Sequence, residues 1–429
     1  MKNLLMKVVL LLFICTTVFA NITIKDTNAM PLLEAQGVVL MDGKSGEILY
    51  SQNADVQYEP ASITKVMTAI VVLENTSLND KVTIGTNPPL VDGSAIGIRE
   101  GEVYTIEELL LAMLLESAND CAEALAEFVS GSNAEFGKLM TQRAKELGCT
   151  NTVFKNPSGL HEEGHLTTAN DMAKIMRFAL NFDDFINISR TISHYYVNHP
   201  YSDGTEKWAT NRNNCYVDWS PWYYENLYCG KTGWTPEANH TYVAAAVKDD
   251  EVLVASFLNA YNKDTQYTSV GNLFDWGFDN FESVKLFSEG DIVGEYPISE
   301  NTSIPLLTNK DLYYTIPAGG DRNITTAFNY ADKDYSEASI KKGDALFDAT
   351  LIVNGEKHTT LELLSGLDRE YTTKIKIENT LNKILTFKTI ITFSIIIILV
   401  ILLVVYSYIR KTKQKNKRAF IKTKYNLDI

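Results

Sequence analysis

The stretch Pro60-Ala61-Ser62-Ile63-Thr64-Lys65-Val66-Met67-Thr68-Ala69 decides how the fold of this 429-residue chain is interpreted. A proline just before an apolar run is typical of a helix start, so Ser62 is predicted in the first helical turn. Ser62 and Lys65 then stand at positions i and i+3 of one helical face. There the amine can take the hydroxyl proton, provided that the amine is neutral. The spacing favours a serine nucleophile with a lysine base; the simpler alternative is a helix-capping serine near a solvated lysine.

A second short motif, Ser117-Ala118-Asn119, ends a predicted helix over 106–116. Such a helix–helix junction holds a loop rigidly, and loops of this kind often supply catalytic groups. Ordinary polarity at a helix end is the simpler explanation. A further Ser-x-x-Lys match occurs at Ser339–Lys342, so a single short motif is not informative, and only the combination indicates a site.

The third motif, Lys231-Thr232-Gly233, precedes two predicted strands, at a sheet edge where a substrate could align. Lys231 and Thr232 offer one charge and one hydroxyl donor, which suits a carboxylate. Gly233 allows close approach of another backbone. The charge of Lys231, together with burial, would lower the pKa of Lys65 and keep its amine neutral. An exposed turn is the alternative.

Hydrophobic patterns and capping signals place the three motifs in an α+β domain. Residues 37–41 and 47–50 predict a hairpin, and 241–247 and 251–258 predict two more strands. Strands that bracket a central block of helices are typical of α+β rather than alternating βαβ folds. Three capping boxes open the central helices, and a glycine stands where one of them should end: Thr105-x-x-Glu108, Ser132-x-x-Glu135, Thr168-x-x-Asp171 and Gly148.

From about residue 282 the chain changes to short strand-like pieces between clusters of Asn, Asp, Gly and Pro. The pieces include 303–307, 312–316 and 345–353. This pattern of short strands and turn residues predicts a second, all-β domain that ends near residue 370.

Both ends carry sorting signals. Residues 1–20 combine two lysines, an apolar run and a small-residue pattern ending at Ala20, which predicts a secretory signal peptide rather than a short membrane anchor. Residues 389–409 are uncharged and long enough to span a membrane as a helix. Because the basic residues concentrate in 410–429, that tail is predicted in the cytoplasm and the preceding domains outside. A buried core helix would leave this charge asymmetry unexplained.

Charge and cysteine content exclude some functions. The net charge is −14, and both terminal segments are basic, so the part between them is more acidic still. Such a surface is a poor partner for nucleic acid. Outside the predicted signal peptide the cysteines fit no zinc pattern, and we expect mostly free, partly buried thiols: Cys121, Cys149, Cys215 and Cys229.

Taken together and in this order, the three motifs resemble those of the penicillin-binding and serine β-lactamase superfamily. Residues 60–69, 114–122, 144–148 and 154–160 are similar to the low-molecular-weight penicillin-binding proteins that are serine D-alanyl-D-alanine carboxypeptidases, peptidase family S11. The resemblance runs from about residue 35 to 260, and more loosely over 282–370. It implies a penicilloyl-serine transferase fold, in which a five-stranded antiparallel sheet packs between helices, then a small β-rich domain and a C-terminal membrane attachment.

The resemblance also implies a reaction. A bacterial enzyme on the cell-wall side of the membrane would remove the terminal D-alanine from peptidoglycan stem peptides and would be inhibited by β-lactams. Ser62 would be the acyl-accepting nucleophile and Lys65 its general base. Ser117 would relay the proton to the leaving D-alanine, and Asn119 would hold the peptide carbonyl or amide of the substrate. No metal or organic cofactor is implied.

The resemblance also implies binding roles for the third motif. Lys231 and Thr232 would bind the terminal carboxylate of the substrate, beside Gly233. Backbone N–H groups of Ser62 and Trp234 would form the oxyanion hole. At position 239 the family usually has glycine and this chain has asparagine, which can adopt positive φ, so the turn is expected to survive.

The predicted organisation has six segments. They are a signal peptide (1–20), the carboxypeptidase domain (21–280), a small β-rich domain (281–370), a linker (371–388), a transmembrane helix (389–409) and a basic cytoplasmic tail (410–429).

Two other functions compete with this interpretation. A class A β-lactamase would need Glu-x-x-Leu-Asn between the second and third motifs, and residues 163–167 imitate that loop but lack the asparagine. A catalytically silent surface protein would suit the Asn-x-Ser/Thr sequons, although the intact motif set argues against a silent site. Examples of these sequons start at Asn75, Asn187, Asn301 and Asn323.

Overall fold

The computed structural model describes residues 30–299 and 302–425, so the predicted signal peptide lies outside the described residues. The α-helices are α1 Thr64–Asn75, α2 Ile106–Leu115, α3 Asn119–Ser130, α4 Asn133–Glu146, α5 Ala169–Ala179, α6 Asp183–Ser189, α7 Lys263–Asn280 and α8 Thr373–Tyr425. The strands are β1 Ala35–Asp42, β2 Ile48–Gln52, β3 Lys81–Thr83, β4 Val103–Thr105, β5 Ser193–Tyr195, β6 Trp208–Thr210, β7 Leu227–Thr235, β8 Asn239–Lys248, β9 Glu251–Ala260, β10 Phe281–Phe287, β11 Ile292–Ser299, β12 Thr302–Thr308, β13 Leu312–Pro317, β14 Thr326–Tyr330, β15 Ala345–Val353 and β16 Glu356–Ser365. Short 3₁₀ turns cover Ala61–Ile63 and Pro88–Leu90.

The strands β1, β2, β7, β8 and β9 form a five-stranded antiparallel sheet in the order β2-β1-β9-β8-β7. The predicted hairpin forms β1 and β2, and the predicted strand pair forms β8 and β9. The third motif lies inside the edge strand β7, which the sequence analysis did not identify as a strand. Its position at the sheet edge is confirmed.

Side chains that alternate along the central strands build two hydrophobic cores. Val39 and Met41 of β1 pack with the helices of the central block, whereas Val38 and Leu40 pack on the other face with α7. Successive residues of a strand point to opposite faces, so a strand that is buried on both sides reads as continuously apolar. The sheet is therefore covered by helices on both faces, which confirms the predicted architecture.

The capping signals form as predicted. Thr105 accepts from the Glu108 N–H while the Glu108 carboxylate accepts from the Thr105 N–H. Ser132 and Thr168 each accept from the N–H three residues further on, and Gly148 has φ +77° just beyond α4. These caps set where α2, α4 and α5 begin, because they satisfy backbone donors that lack partners within the helix.

The described chain divides into two compact units. The first holds the residues up to Leu286 together with Leu312–Asn323, and the second holds Phe287–Asp311 and the chain from Ile324 onwards. In the first unit β10 pairs with β13. The second unit contains a five-stranded sheet in the order β11-β12-β16-β15-β14, in which Tyr296, Tyr330 and Tyr335 pack around Phe347.

The last helix, α8, is 53 residues long and runs without a break through the predicted linker and the predicted transmembrane segment. Within the described residues it is the one helix whose length and composition suffice to cross a membrane, over Thr380–Arg418. Its apolar side chains are exposed all round; Leu399 and Leu402, for example, are 54% and 57% exposed. A helix that is apolar on every side suits lipid, so α8 is a candidate membrane anchor.

Candidate active site

Ser62 lies in the 3₁₀ turn that leads directly into α1 and is half-buried. The preceding Ala61 has φ +47°, a left-handed conformation that is uncommon for alanine. The Thr241 hydroxyl of β8 donates to the Pro60 carbonyl at 2.8 Å and holds this turn against the sheet. Backbone strain of this kind persists only where the surrounding structure enforces it, and it often marks functional sites.

Lys65 is fully buried one helical turn after Ser62. Its Nζ lies 3.1 Å from Ser62 Oγ, 2.7 Å from Asn119 Oδ1 and 2.6 Å from the Ser158 carbonyl oxygen. Burial and the charge of Lys231 hold the pKa of Lys65 well below its ordinary value. Asn119 Oδ1 and the Ser158 carbonyl can only accept. A neutral Lys65 therefore donates to both and keeps its lone pair for the Ser62 proton.

Asn119 begins α3 and is almost fully buried. Its Nδ2 donates to the Asp92 carbonyl at 2.8 Å and its backbone N–H donates to the Ser94 carbonyl at 2.6 Å. Because Lys65 and Asp92 engage opposite ends of the amide, its orientation is determined, and one N–H of Nδ2 remains for another acceptor.

Ser117 occupies the junction between α2 and α3, as predicted, and is half-buried. It has φ +62°, so this residue also holds a left-handed backbone conformation. The next residue, Ala118, is fully buried, and its N–H donates to the Ala112 carbonyl at 3.3 Å. The tight junction places Ser117 two residues from the amide that contacts Lys65.

Lys231 is only 3% exposed on β7, and its Nζ donates to the Thr232 carbonyl at 2.8 Å. Burial, followed by the charge of Arg212, lowers the pKa of Lys231 to about 7. Within the described part of the chain, neither Lys65 nor Lys231 has a carboxylate at ion-pair distance. A buried cation without an internal counter-ion is suited to an anionic ligand.

Gly233 faces the Ser62 turn directly. A β-carbon at position 233 would lie 2.7 Å from the Ser62 amide nitrogen and closer still to the Thr241 hydroxyl. Trp234, the next residue, is 58% exposed, and Thr232 is half-buried. The edge strand thus packs against the Ser62 turn with no room for a side chain at position 233.

Hydrogen bonds link Ser62, Lys65 and Asn119 directly. Lys231 acts on Lys65 through its charge, and Gly233 contacts the Ser62 turn. Thr232 and Trp234 lie on β7, the strand that also carries Lys231 and Gly233.

Several supporting residues were missed by the sequence analysis. Buried Asp120 accepts from the N–H groups of Gly97 and Ile98 at 2.9 and 3.1 Å. It thereby holds the 92–98 loop, whose Asp92 and Ser94 carbonyls bind Asn119. Arg212 pairs with Glu116 and contributes the charge that acts on Lys231. Asp120 lies in the stretch 114–122, which was identified by its resemblance to the family. No motif or resemblance in the sequence pointed to Arg212.

His165 supports the site from the opposite side. Its Nε2 lies 3.0 Å from the Thr64 hydroxyl, and its Nδ1 accepts the Lys155 N–H at 3.3 Å. The proton therefore sits on Nε2. Burial and the charge of Lys155 lower the pKa of His165 to about 3, so the ring stays neutral. The segment 163–167, which imitates a β-lactamase loop, thus contributes a buried histidine that anchors it to α1, while Glu163 is exposed.

The described cysteines are free, as the sequence analysis expected for most of them, and they are fully buried rather than partly buried: Cys121, Cys149, Cys215 and Cys229. Asn239 has φ +55°, so the turn between β7 and β8 does survive the replacement of glycine. Its Nδ2 donates to Asn259 Oδ1 at 2.7 Å.

A sheet whose edge strand closes over a serine–lysine pair defines the penicillin-binding class of serine peptidases. Comparison with known proteins agrees: the D-alanyl-D-alanine carboxypeptidase family matches residues 24–262, and the C-terminal domain of penicillin-binding protein 5 matches residues 281–371. The chain belongs to the D-alanyl-D-alanine carboxypeptidase family, peptidase family S11. It is accordingly a serine-type carboxypeptidase, a hydrolase.

Individual relatives cover most of the chain. The D-alanyl-D-alanine carboxypeptidase DacF of Bacillus subtilis is 31% identical over 83% of this chain and 90% of its own length. DacC of Escherichia coli is 29% identical over 77% of this chain and 83% of its own length. The crystal structure of penicillin-binding protein 5 from Haemophilus influenzae has a TM-score of 0.65 and 27% identity, and the match covers 79% of this chain and 98% of that one. Neither a β-lactamase nor a silent binding protein is supported.

Proposed function

We propose that Ser62 attacks the carbonyl of the penultimate D-alanine in a stem peptide ending in D-Ala-D-Ala. The Ser62 Oγ–C bond forms, the C–N bond to the terminal D-alanine breaks, and water later hydrolyses the acyl-enzyme. The observation that carries this proposal is the 3.1 Å contact between Ser62 Oγ and the buried Nζ of Lys65. In this environment the amine is neutral and can act as a base.

The proton has a route from the serine to the leaving group. Lys65 takes it from Ser62 during attack, and Ser117 relays it to the amine of the departing D-alanine. Asn119 presents its remaining N–H to a carbonyl of the substrate, which supports its role in holding the peptide.

The terminal carboxylate of the substrate binds Lys231 and Thr232. Because the pKa of Lys231 is about 7 in the free site, an arriving carboxylate favours its charged form. The ammonium and the carboxylate then form a charge-assisted hydrogen bond that holds the end of the substrate. The backbone N–H groups of Ser62 and Trp234 form the oxyanion hole, and Gly233 provides the close approach that this requires.

Penicillins enter the same reaction as acylating inhibitors. Their carboxylate takes the place of the substrate carboxylate at Lys231 and Thr232. Their ring carbonyl acylates Ser62: the Oγ–C bond forms, the C–N bond of the lactam ring breaks, and the ring nitrogen takes the proton. No step requires a metal or an organic cofactor, because the base, the proton relay and the oxyanion donors are all groups of the protein.

For location, we propose a single-pass bacterial membrane protein. Residues 21–280 form the catalytic domain and 281–370 the small β-rich domain, both on the cell-wall side. Residues 371–388 connect them to the membrane helix 389–409, and the tail 410–429 is cytoplasmic. The length and hydropathy of α8 support the anchor, and the basic residues after Ile409 support the orientation.

The test is covalent labelling of the full-length protein with a fluorescent penicillin, followed by mass mapping of the acylated peptide. The label is expected on Ser62, and Ser62→Ala abolishes labelling without changing the melting temperature. Ser339→Ala is the matched control, because Ser339 opens the other Ser-x-x-Lys match and is exposed; this variant labels like the original protein. Label on Ser339, or label retained by Ser62→Ala, contradicts the proposal.

A further inference from the structure

Three side chains that have no role in the proposed reaction lie close together near the Ser62 turn. Glu59, His161 and Glu237 each place one donor atom so that all three donor atoms lie within 4.8 Å of one another. His161 Nδ1 is 2.8 Å from Glu59 Oε1. They come from three separate segments: the residues before Ser62, the loop after Gly159, and the turn between β7 and β8.

The segments that carry His161 and Glu59 are rigidly joined. Gly159 has φ +83°, and its α-carbon lies against the Ala61 carbonyl so closely that no β-carbon would fit. Asn156 accepts the Gly159 N–H at 2.8 Å and donates to the Leu160 carbonyl at 3.0 Å. The loop that carries His161 is therefore held in place, and it positions His161 next to Glu59.

The turn that carries Glu237 is also preorganised. Thr235 Oγ1 accepts the Ala238 N–H at 3.0 Å, and Asn239, with φ +55°, is tied to Asn259. Thr241 of the next strand holds Pro60, the residue after Glu59. These contacts hold the turn that carries Glu237 next to the segment that carries Glu59.

The charge of this cluster is not balanced within the described residues. Glu59 has His161 as its ion-pair partner there, and no Lys or Arg lies within ion-pair distance of Glu237. Two carboxylates and one imidazole therefore share a partly exposed position. The imidazole distinguishes this cluster from an ordinary acidic surface patch, because borderline metals prefer nitrogen ligands.

The ligand set matches a particular ion. Zn²⁺ binds imidazole nitrogen and carboxylate oxygen at about 2.0–2.2 Å, and open sites use three protein ligands with a fourth position left for water. Tetrahedral geometry at those bond lengths separates ligand atoms by about 3.4 Å. The three donor atoms lie within 4.8 Å of one another, and rotation of the exposed side chains can bring them to the tetrahedral separation.

We propose that Glu59, His161 and Glu237 form a divalent-cation site, with Zn²⁺ as the fitting ion, beside the turn that carries Ser62. The bound ion joins the β7–β8 turn to the 156–165 loop and so braces the strand that carries Lys231 against the Ser62 turn. It takes no part in the acyl transfer. Metal binding by these ligands does not depend on the catalytic roles proposed above.

The experiment uses the full-length protein in detergent, stripped with a chelator and titrated with ZnCl₂ in a calorimeter. One ion per chain is expected to bind, and binding raises the melting temperature because the ion favours the folded state. His161→Ala and Glu237→Gln each weaken binding at least tenfold. Glu163→Gln is the matched control: Glu163 is an exposed carboxylate in the same loop that does not belong to the cluster, and its replacement leaves affinity unchanged.

Penicillin labelling of the same stripped samples separates this proposal from the previous one. Labelling at Ser62 shows that the two variants are folded and that the catalytic site is intact. Absence of stoichiometric Zn²⁺ binding to the original protein overturns the metal site. Equal affinity in His161→Ala, Glu237→Gln and the original protein also overturns it, because the ion would then be bound elsewhere.

Discussion

Gly233 approaches Ser62 so closely that a β-carbon on residue 233 would lie 2.7 Å from the Ser62 amide nitrogen. Contacts shorter than 3.0 Å force one of the two backbones to move. The glycine of the third motif is thus required by the packing of the edge strand against the turn that carries the nucleophile.

Gly233→Ala should therefore damage acylation rather than folding alone. Displacing β7 misaligns the proposed oxyanion donors, whose loss typically costs a factor of about 10²–10³ in rate. The second-order rate of penicillin acylation measures this. Gly294→Ala is the control, since nothing lies within 4 Å of a β-carbon there. An acylation rate in Gly233→Ala equal to that of the control would mean that the close approach is not used in the reaction.

Lys65→Arg should be almost inert, although the two side chains are of similar length, because it replaces a neutral amine with a permanent positive charge. The guanidinium stays protonated at every accessible pH and cannot take the Ser62 proton. In the original protein, acylation should rise with pH and level off well below the pKa of about 10.4 of a free lysine, because burial and Lys231 lower the pKa of Lys65. Stopped-flow acylation between pH 5 and 10 tests both statements. Lys342→Arg, in the other Ser-x-x-Lys match, serves as control, and an active Lys65→Arg enzyme would place the base elsewhere.

Lys231 should impose the opposite pH dependence on substrate capture. Its ammonium binds the carboxylate, and because its pKa is about 7 the charged fraction falls as pH rises above that value. Together with the rising contribution of Lys65, this makes kcat/KM bell-shaped, with apparent pKa values that belong to the coupled pair. Lys231→Arg keeps its charge and should lose the alkaline decline. D-Ala release measured against pH gives the profile, and a decline that persists in the arginine variant would assign it to another group.

The full chain should be attached to membranes by insertion of α8. A helix that satisfies its backbone hydrogen bonds internally and exposes apolar side chains on every face inserts through the hydrophobic effect. The full chain should therefore remain in the membrane fraction after washing with high salt or alkali, whereas residues 21–370 should be soluble and bind penicillin. Release of the full-length protein by either wash would show that residues 389–409 lie on the membrane surface as an interfacial helix. The tail 410–429 would then not be placed in the cytoplasm.

Short-range features of the fold could be predicted well. The capping residues Thr105, Ser132 and Thr168 act on backbone groups only three residues away. Their effect depends on local geometry that distant packing does not change. The edge strand β7 was harder to predict, because Gly230 and Gly233 interrupt the alternation that identifies strands.

The supporting contacts of the site were not predictable in the same way. Lys65 is held by the backbone carbonyl of Ser158, and Asn119 by those of Asp92 and Ser94. Every residue carries a carbonyl, so nothing in the residue types shows which one will be used. Arg212 acts on Lys231 from nineteen positions away, and no local pattern marks that pair.

The sequence by itself determined which groups could react: a serine and a lysine one helical turn apart, a Lys-Thr-Gly segment, and an uncharged run long enough for a membrane helix. These follow from covalent spacing and residue chemistry. Only the tertiary structure decided the state of those groups. The lowered pKa of Lys65 results first from its removal from water, among Asn119 and the Ser158 carbonyl, and then from the proximity of Lys231, which lies on β7. Desolvation and charge proximity are properties of distance in space, and separation along the chain does not specify them.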